Sequence, residues 1–250
     1  MAILTFLHTN DLHHRLTLTT AERLRGLKAN QSPALLLDAG DAVGCGNLDF
    51  RPWGERVHDL MNLAGYDGAA LGNREFHPWV WPLRCTLKRA RFPFLCANLR
   101  LRATNSPSPQ FPPEVRPFVL FTRPEGLTVA VFGLVVEMVR PGTWGARLSQ
   151  LVCADAVETA RQLVPTLRAQ AEVVVCLSHL GQRRERELAA AVEGIDLIIG
   201  SHSHTPLPEP ERVKGTLIAQ AKPYAQAVGR VTVEVGNEGL RLLRGELMPL

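Results

Sequence analysis

The chain has 250 residues, 46% of them hydrophobic and 21% charged, which is material for a soluble protein with a substantial core. No apolar run approaches the roughly 18 residues of a membrane span. The opening MAILTFLHTNDLH lacks a basic lead and a cleavage site, so a cytoplasmic protein without an export signal is expected. The net charge of +4 is dispersed; the densest runs, RLRGLK (23–28) and QRRERE (182–187), lack interleaved aromatics, and the second alternates in sign. That pattern suits solvated helix faces and argues against nucleic acid as the main partner.

In chain order, continuous apolar runs at Ile3–Leu7, Ala34–Leu37, Gly68–Leu71, Phe92–Ala97, Val119–Phe121, Thr128–Val135, Glu172–Leu177 and Ile195–Ile199 read as strands. PALLLD, EVVVCLS and IDLIIGS do not alternate with polar residues, as befits strands buried on both faces. Helices fit between them: one opened by a Thr19–Glu22 capping box, one over Trp53–Ala64 stopped by Gly65, one over Ala154–Ala171 kinked at Pro165, and one after Gly181. Beyond Pro206 the runs GTLIAQ, GRVTVEV and LRLLRGEL suggest a closing antiparallel meander. The proline-rich stretch 104–117 reads as a surface loop, and residues 1–250 as a single domain. Cys45, Cys85, Cys96, Cys153 and Cys176 are scattered, mostly within apolar runs, and read as small core residues of a reducing compartment.

The informative residues lie just past the strand runs. ILTFLHTNDLH delivers Asp11 and His13, ALLLDAGD delivers Asp41, AALGN delivers Asn73, VVVCLSH delivers His179, and DLIIGSHSH delivers His202 and His204. A lone histidine or aspartate at such a place is more often a hydrogen-bonding residue or a helix cap. Here four of the eight histidines collect at strand ends, where open α/β sheets bind their ligands. Seven oxygen and nitrogen donors without a thiolate suit two divalent ions, Mn2+ foremost and Zn2+, Fe2+ or Co2+ as alternatives.

These motifs, D-x-H, G-D, G-N-x-E, a strand-terminal His and G-x-H-x-H, together resemble the calcineurin-like metallophosphoesterases over Leu4 to about Val235. LHTNDLH and GNREF are most similar to the catalytic domain of the 5′-nucleotidase/2′,3′-cyclic phosphodiesterase branch, without its C-terminal nucleotide-binding domain. The resemblance implies an α/β protein built as a four-layer α/β/β/α sandwich of two mixed sheets. It implies one metal held by Asp11, His13 and His204, a second by Asn73, His179 and His202, with Asp41 bridging. It further implies hydrolysis of a small phosphate ester, diester or anhydride by a metal-bridging hydroxide.

One departure matters. Where the family has G-N-H-E, often with a following aspartate, this chain has Arg74 and His77. Arginine cannot act as a general acid at neutral pH, although it can clamp phosphoryl oxygens. The UDP-diacylglucosamine pyrophosphohydrolases resemble the chain here in carrying G-N-R-D and are catalytic. His77 is then the nearby titratable group expected to stand in as an acid, and Glu75 is expected to brace the loop. The alternative expectation is a metal-binding pseudoenzyme with a regulatory or scaffold role; a nuclease is disfavoured by the absence of a basic stripe.

Overall fold

The structure, a computed structural model, describes residues 2–31, 33–44, 46, 48–102, 110–123, 126–236 and 239–250. The first half runs β1 (Ala2–Thr9), α1 (Leu18–Ala29), β2 (Ala34–Asp38), α2 (Val57–Ala64), β3 (Gly68–Ala70), α3 (Val80–Leu87) and β4 (Phe94–Leu95). Then follow β5 (Leu99–Leu101), β6 (Val115–Arg116), β7 (Phe118–Thr122), β8 (Thr128–Val135), α4 (Trp144–Leu148), β9 (Leu151–Cys153) and α5 (Ala156–Arg168). The remainder is β10 (Val173–His179), α6 (Gln182–Ala191), β11 (Leu197–Ile199), β12 (Glu211–Val213), β13 (Thr216–Ala219), β14 (Ala227–Gly236) and β15 (Gly239–Pro249).

Two large mixed sheets result. One has the order β15-β14-β1-β2-β3-β4-β6 and the other β12-β13-β11-β10-β8-β7. Each has a parallel run, β1-β2-β3-β4-β6 in one and β8-β10-β11-β13 in the other, with antiparallel β14 and β15 beyond β1 in the first and antiparallel β7 and β12 flanking the second. The period-two geometry of a strand explains why their sequences are apolar throughout. On β1 and β2, Phe6, Leu35 and Leu37 meet Val131, Val175 and Leu177 of the other sheet, while Leu7 and Leu36 face the other way, into the core shared with α1 and α2. On β8 and β10 the alternate residues Ala130, Phe132, Val174 and Cys176 pack under α5 and α6. Three cores therefore alternate with helix, sheet, sheet and helix. The sheets close together at Gly133, where a Cβ would collide with the Leu95 carbonyl, so this register requires glycine.

Several local expectations are corrected. The capping box of α1 lies two residues earlier, on Thr17 and Thr20, because Thr20 supplies the hydroxyl that closes it. The C-terminal runs do not form one meander: β13 lies parallel to β11 in one sheet, whereas β14 pairs with β1 in the other. Helix α3 was hidden by Pro82, which is tolerated in a first helical turn where its missing N–H has no partner to lose. Pro165 sits near the end of α5. Residues 103–109 of the proline-rich stretch and Cys45 lie outside the described residues; Cys85, Cys96, Cys153 and Cys176 are buried and free. No described helix is long and apolar enough to cross a membrane.

Candidate metal centre

Seven donors come to one edge because the parallel strands of both sheets end there. Asp11 and His13 follow β1, Asp41 follows β2, Asn73 follows β3, His179 ends β10, and His202 and His204 follow β11. The loops turn sharply. Asp11, His13, Asp41, His202 and His204 all have left-handed backbone, with φ between 44° and 68°. For non-glycine residues this conformation costs of order 1–3 kcal/mol each, so five of them in one cluster mark a site where geometry overrides local preference. The β1 and β2 loops are tied to each other by Asp11 N–H to the Gly40 carbonyl (2.9 Å) and His13 N–H to the Asp41 carbonyl (3.0 Å).

Asp11 is fully buried, and its Oδ2 accepts from Asn10 Nδ2 (2.8 Å), Ser201 Oγ (2.8 Å) and His202 N–H (3.1 Å). Its Oδ1 has no hydrogen-bond partner among the described residues. That oxygen instead faces His204 Nε2 at 3.2 Å and His13 Nε2 at 3.9 Å, and the two Nε2 atoms lie 3.3 Å apart. On the neighbouring side, His179 Nε2 lies 3.0 Å from Asn73 Oδ1 and 3.4 Å from Asp41 Oδ1.

The chemistry of these contacts is that of cation sites. His179 Nδ1 is 3.0 Å from the Ala39 carbonyl and His13 Nδ1 is 3.3 Å from the Val43 carbonyl, so each Nδ1 carries the proton. Each Nε2 then presents a lone pair to other acceptors, as metal-ligating histidines do. Such a cluster is repulsive until a positive charge enters it. Burial alone would hold the His179 pKa down, yet the charge and hydrogen bond of Asp41, with Asp11 behind it, push it up to about 10. A proton on Nε2 would supply that positive charge. Burial opposes ionisation of Asp41, but His179 and the Arg74 N–H (2.7 Å to Oδ1) draw its pKa below the usual value. The carboxylate and imidazole atoms of Asp11, His13 and His204, and those of Asp11, Asp41 and His179, lie close enough to share an ion within each set. His202 packs its ring on His179 with centroids 5.0 Å apart.

The second tier is equally ordered. Glu75, essentially buried, accepts from Asp41 N–H (3.0 Å), Gly72 N–H (2.8 Å) and Val43 N–H (3.1 Å), and so braces two ligand loops as expected. Burial and then the Asp41 charge raise its pKa to about 7. Glu185 of α6, also buried, accepts from Ser201 N–H (3.1 Å) and steadies the β11 loop.

Arg74 lines a cavity of about 420 Å3 together with His13, Asp41, Asn73, His202 and His204. His77 is not brought to that cavity. It is buried between Phe50 and Trp79, with ring centroids at 5.6 and 5.3 Å, and its Nδ1 accepts the Trp79 N–H at 3.3 Å. Burial lowers its pKa, only partly offset by a hydrogen bond with the Leu48 backbone. His8 and His58 are buried too, each with a pKa lowered by burial to about 4, and His14 turns away to Glu55 at 3.0 Å. Sequence reasoning missed Arg15 and Tyr224, which also line the cavity; the Tyr224 hydroxyl lies 3.3 Å from His204 Nδ1. The only sequence sign of Tyr224 was its rarity, one of two tyrosines, in the irregular KPYAQ.

Comparison with known proteins agrees with this geometry. The chain is 33% identical over 274 residues to the trifunctional nucleotide phosphoesterase protein YfkN of Bacillus subtilis, covering 95% of this chain and 18% of that one. It is 31% identical to the 5′-nucleotidase of Rattus norvegicus, covering 81% of this chain and 38% of that one. The crystal structure of a 5′-nucleotidase precursor from Thermus thermophilus superposes with a TM-score of 0.81 at 28% identity, over all of this chain and 55% of that one. Haemophilus influenzae NAD nucleotidase shares the fold with a TM-score of 0.82 at 24% identity, over all of this chain and 56% of that one. The chain thus spans about half or less of the length of these relatives. Residues 4–206 match the calcineurin-like phosphoesterase family, and the chain belongs to it.

Proposed function

We propose that this chain is a binuclear metal-dependent hydrolase of small phosphate esters, diesters or anhydrides. The observation that carries the reading is the convergence of acceptor atoms: an orphaned, buried Asp11 Oδ1 beside two imidazole Nε2 atoms, and His179 Nε2 against Asn73 and Asp41. In this reading Asp11, His13 and His204 would hold one ion and Asn73, His179 and His202 the other, with Asp41 a ligand available to both. Divalent ions in that position, Mn2+ foremost, would supply Lewis-acid charge to the phosphoryl oxygens and lower the pKa of the attacking water.

The protein's own residues do the rest. Carbonyls of Ala39 and Val43 fix the tautomers of His179 and His13 so that both Nε2 atoms face inward. Glu75 and the Arg74 N–H hold Asp41 in place. The Arg74 guanidinium, exposed on the cavity wall, is placed to clamp phosphoryl oxygens and offset charge growing on them. It donates no proton, so leaving groups that depart as stable anions are favoured: aryl oxides, or phosphate from an anhydride. We assign His77 to the wall behind Arg74, since it is buried away from the cavity.

Arg74 in the family's histidine position is also the observation behind the rival reading, a metal-binding pseudoenzyme. Hydrolysis of bis-p-nitrophenyl phosphate by Mn2+-loaded protein separates the two. Turnover that is lost on chelation and in Asp11→Asn supports the enzyme. Protein that holds two ions yet turns over no aryl diester or phosphoanhydride would leave the pseudoenzyme standing.

A further inference from the structure

Arg15 is a cation without an evident purpose in the fold. It follows His13 and His14 in the β1 loop, and its backbone is fixed: its N–H donates to the Leu12 carbonyl (2.8 Å), and the next residue, Leu16, is buried. Its side chain is exposed and, among the described residues, makes no ion pair or hydrogen bond. Arg184 and Arg186 of α6, by contrast, are engaged, with Glu137 and Glu211. Carboxylates around its loop are already committed: Asp11 to Asn10, Ser201 and the histidines, Asp41 to His179 and the Arg74 N–H, and Glu55 to His14 and Arg51.

What Arg15 does face is the cleft. It lines the 420 Å3 cavity that holds the metal ligands, and also a second cavity of about 370 Å3 bounded by Arg15, Tyr224 and Gln226. Arg15 and Tyr224 are common to both, so the cleft runs past the metal ligands and out between these two side chains. Tyr224 is held by its N–H to the Asp11 carbonyl (2.8 Å) and by ring contacts with His13 and His204, centroids 5.3 and 5.2 Å away. The junction therefore pairs a fixed aromatic wall with a guanidinium free to bind.

We propose that Arg15 binds a second anionic group on the substrate. On the phosphoesterase reading above, which this inference rests on, the substrate class narrows to phosphate esters or anhydrides that carry a carboxylate or further phosphate on the group flanking the reacting phosphorus. Arg74, from the β3 loop, serves the reacting phosphoryl group; Arg15, from the β1 loop, serves its anionic neighbour. A charge-assisted, bidentate contact of this kind favours a two-anion ligand by about ten- to a hundredfold over a one-anion ligand.

The test is isothermal titration of Mn2+-loaded protein with methylphosphonate, phosphonoacetate and methylenediphosphonate. Wild type is expected to bind the two-anion probes at least tenfold more tightly than methylphosphonate. Arg15→Ala, a change at an exposed side chain, is expected to cut that advantage about tenfold or more, and Arg15→Lys to retain part of it. The probes chelate Mn2+ to different extents, so the contribution of Arg15 is read as the fall in two-anion advantage from wild type to variant, to which chelation is common. The relative gain on phosphonoacetate and on methylenediphosphonate tells whether the second group is a carboxylate or a phosphate. The proposal is overturned when wild type shows no two-anion advantage, or when Arg15→Ala keeps it. Failure to hydrolyse aryl esters or anhydrides with the probe preference intact would count against the phosphoesterase reading and leave the Arg15 assignment in place.

Discussion

Gly72 offers the sharpest perturbation of the centre, because it packs against Asp41 and Glu75 and no ligand role is assigned to Gly72 itself. A Cβ at this position would sit 2.7 Å from Glu75 Oε2 and closer still to Asp41 Oδ1 and N. Ordinary contact needs about 3.4 Å or more, so Gly72→Ala must drive the Asp41 loop and Glu75 apart by about 1 Å. The backbone of Gly72 is outside the left-handed region, so alanine fits the chain path and the effect is one of packing alone. Overpacking of this kind costs about 1–3 kcal/mol of stability. Displacement of Asp41 by about 1 Å costs about a hundredfold or more in rate, and it loosens both ions if Asp41 bridges them. Gly26→Ala, on α1 with nothing near its Cβ, is the matched control and is expected to stabilise by about 0.5–1 kcal/mol. The assays are metal content after loading and dialysis, denaturant unfolding, and aryl diester turnover. Gly72→Ala that keeps two ions and a third or more of the turnover would refute the claim that this contact positions the centre.

Arg74→Ala is expected to lower kcat/KM on aryl diesters about ten- to a hundredfold, the worth of a charge-assisted contact, whereas Arg74→His extends activity toward alkyl monoesters; equal rates on aryl and alkyl esters in wild type would contradict this. Glu185 predicts a pH effect, since burial lifts its pKa from 4.5 to about 7. A carboxyl that holds its proton more tightly when folded gives its full contribution below about pH 4.5 and loses it as pH rises through 7. Glu185→Gln, which keeps the acceptor for Ser201, should therefore gain up to about 3 kcal/mol over wild type at pH 8 and nothing at pH 4, read by denaturant unfolding of metal-free protein. His77→Ala is expected to cost stability, because its ring fills the space between Phe50 and Trp79, and to change aryl diester rates less than Arg74→Ala does; a larger rate loss than Arg74→Ala would restore the proton-donor role to His77.

Most of the centre was legible in the sequence because parallel strands buried on both faces announce themselves as unbroken apolar runs, and the residue just past such a run sits at the ligand-binding edge. Asp41 after ALLLDAG and His179 after VVVCLS were readable in that way. The bracing residues were less so. Glu185 lies in QRRERE, whose alternating charge reads as solvated, yet packing turns that carboxyl inward while Arg183 and Arg186 stay out. No local pattern encodes that choice. The destination of the C-terminal strands was hidden for a related reason: β13 and β14 have similar composition, and only pairing across the whole chain, Phe6 with Val231, assigns β14 to the first sheet. Arg15 carries no signature, and Tyr224 only its rarity, until the loops that bear them are folded together.

Whether two ions share Asp41 is read from anomalous diffraction by crystals of the Mn2+-loaded protein, with elemental analysis of wild type and Asp41→Asn alongside. Two peaks are expected to flank Asp41, one among Asp11, His13 and His204 and the other among Asn73, His179 and His202, with one ion or none in the variant. A single peak, or a variant that still binds two ions per chain, would contradict that sharing.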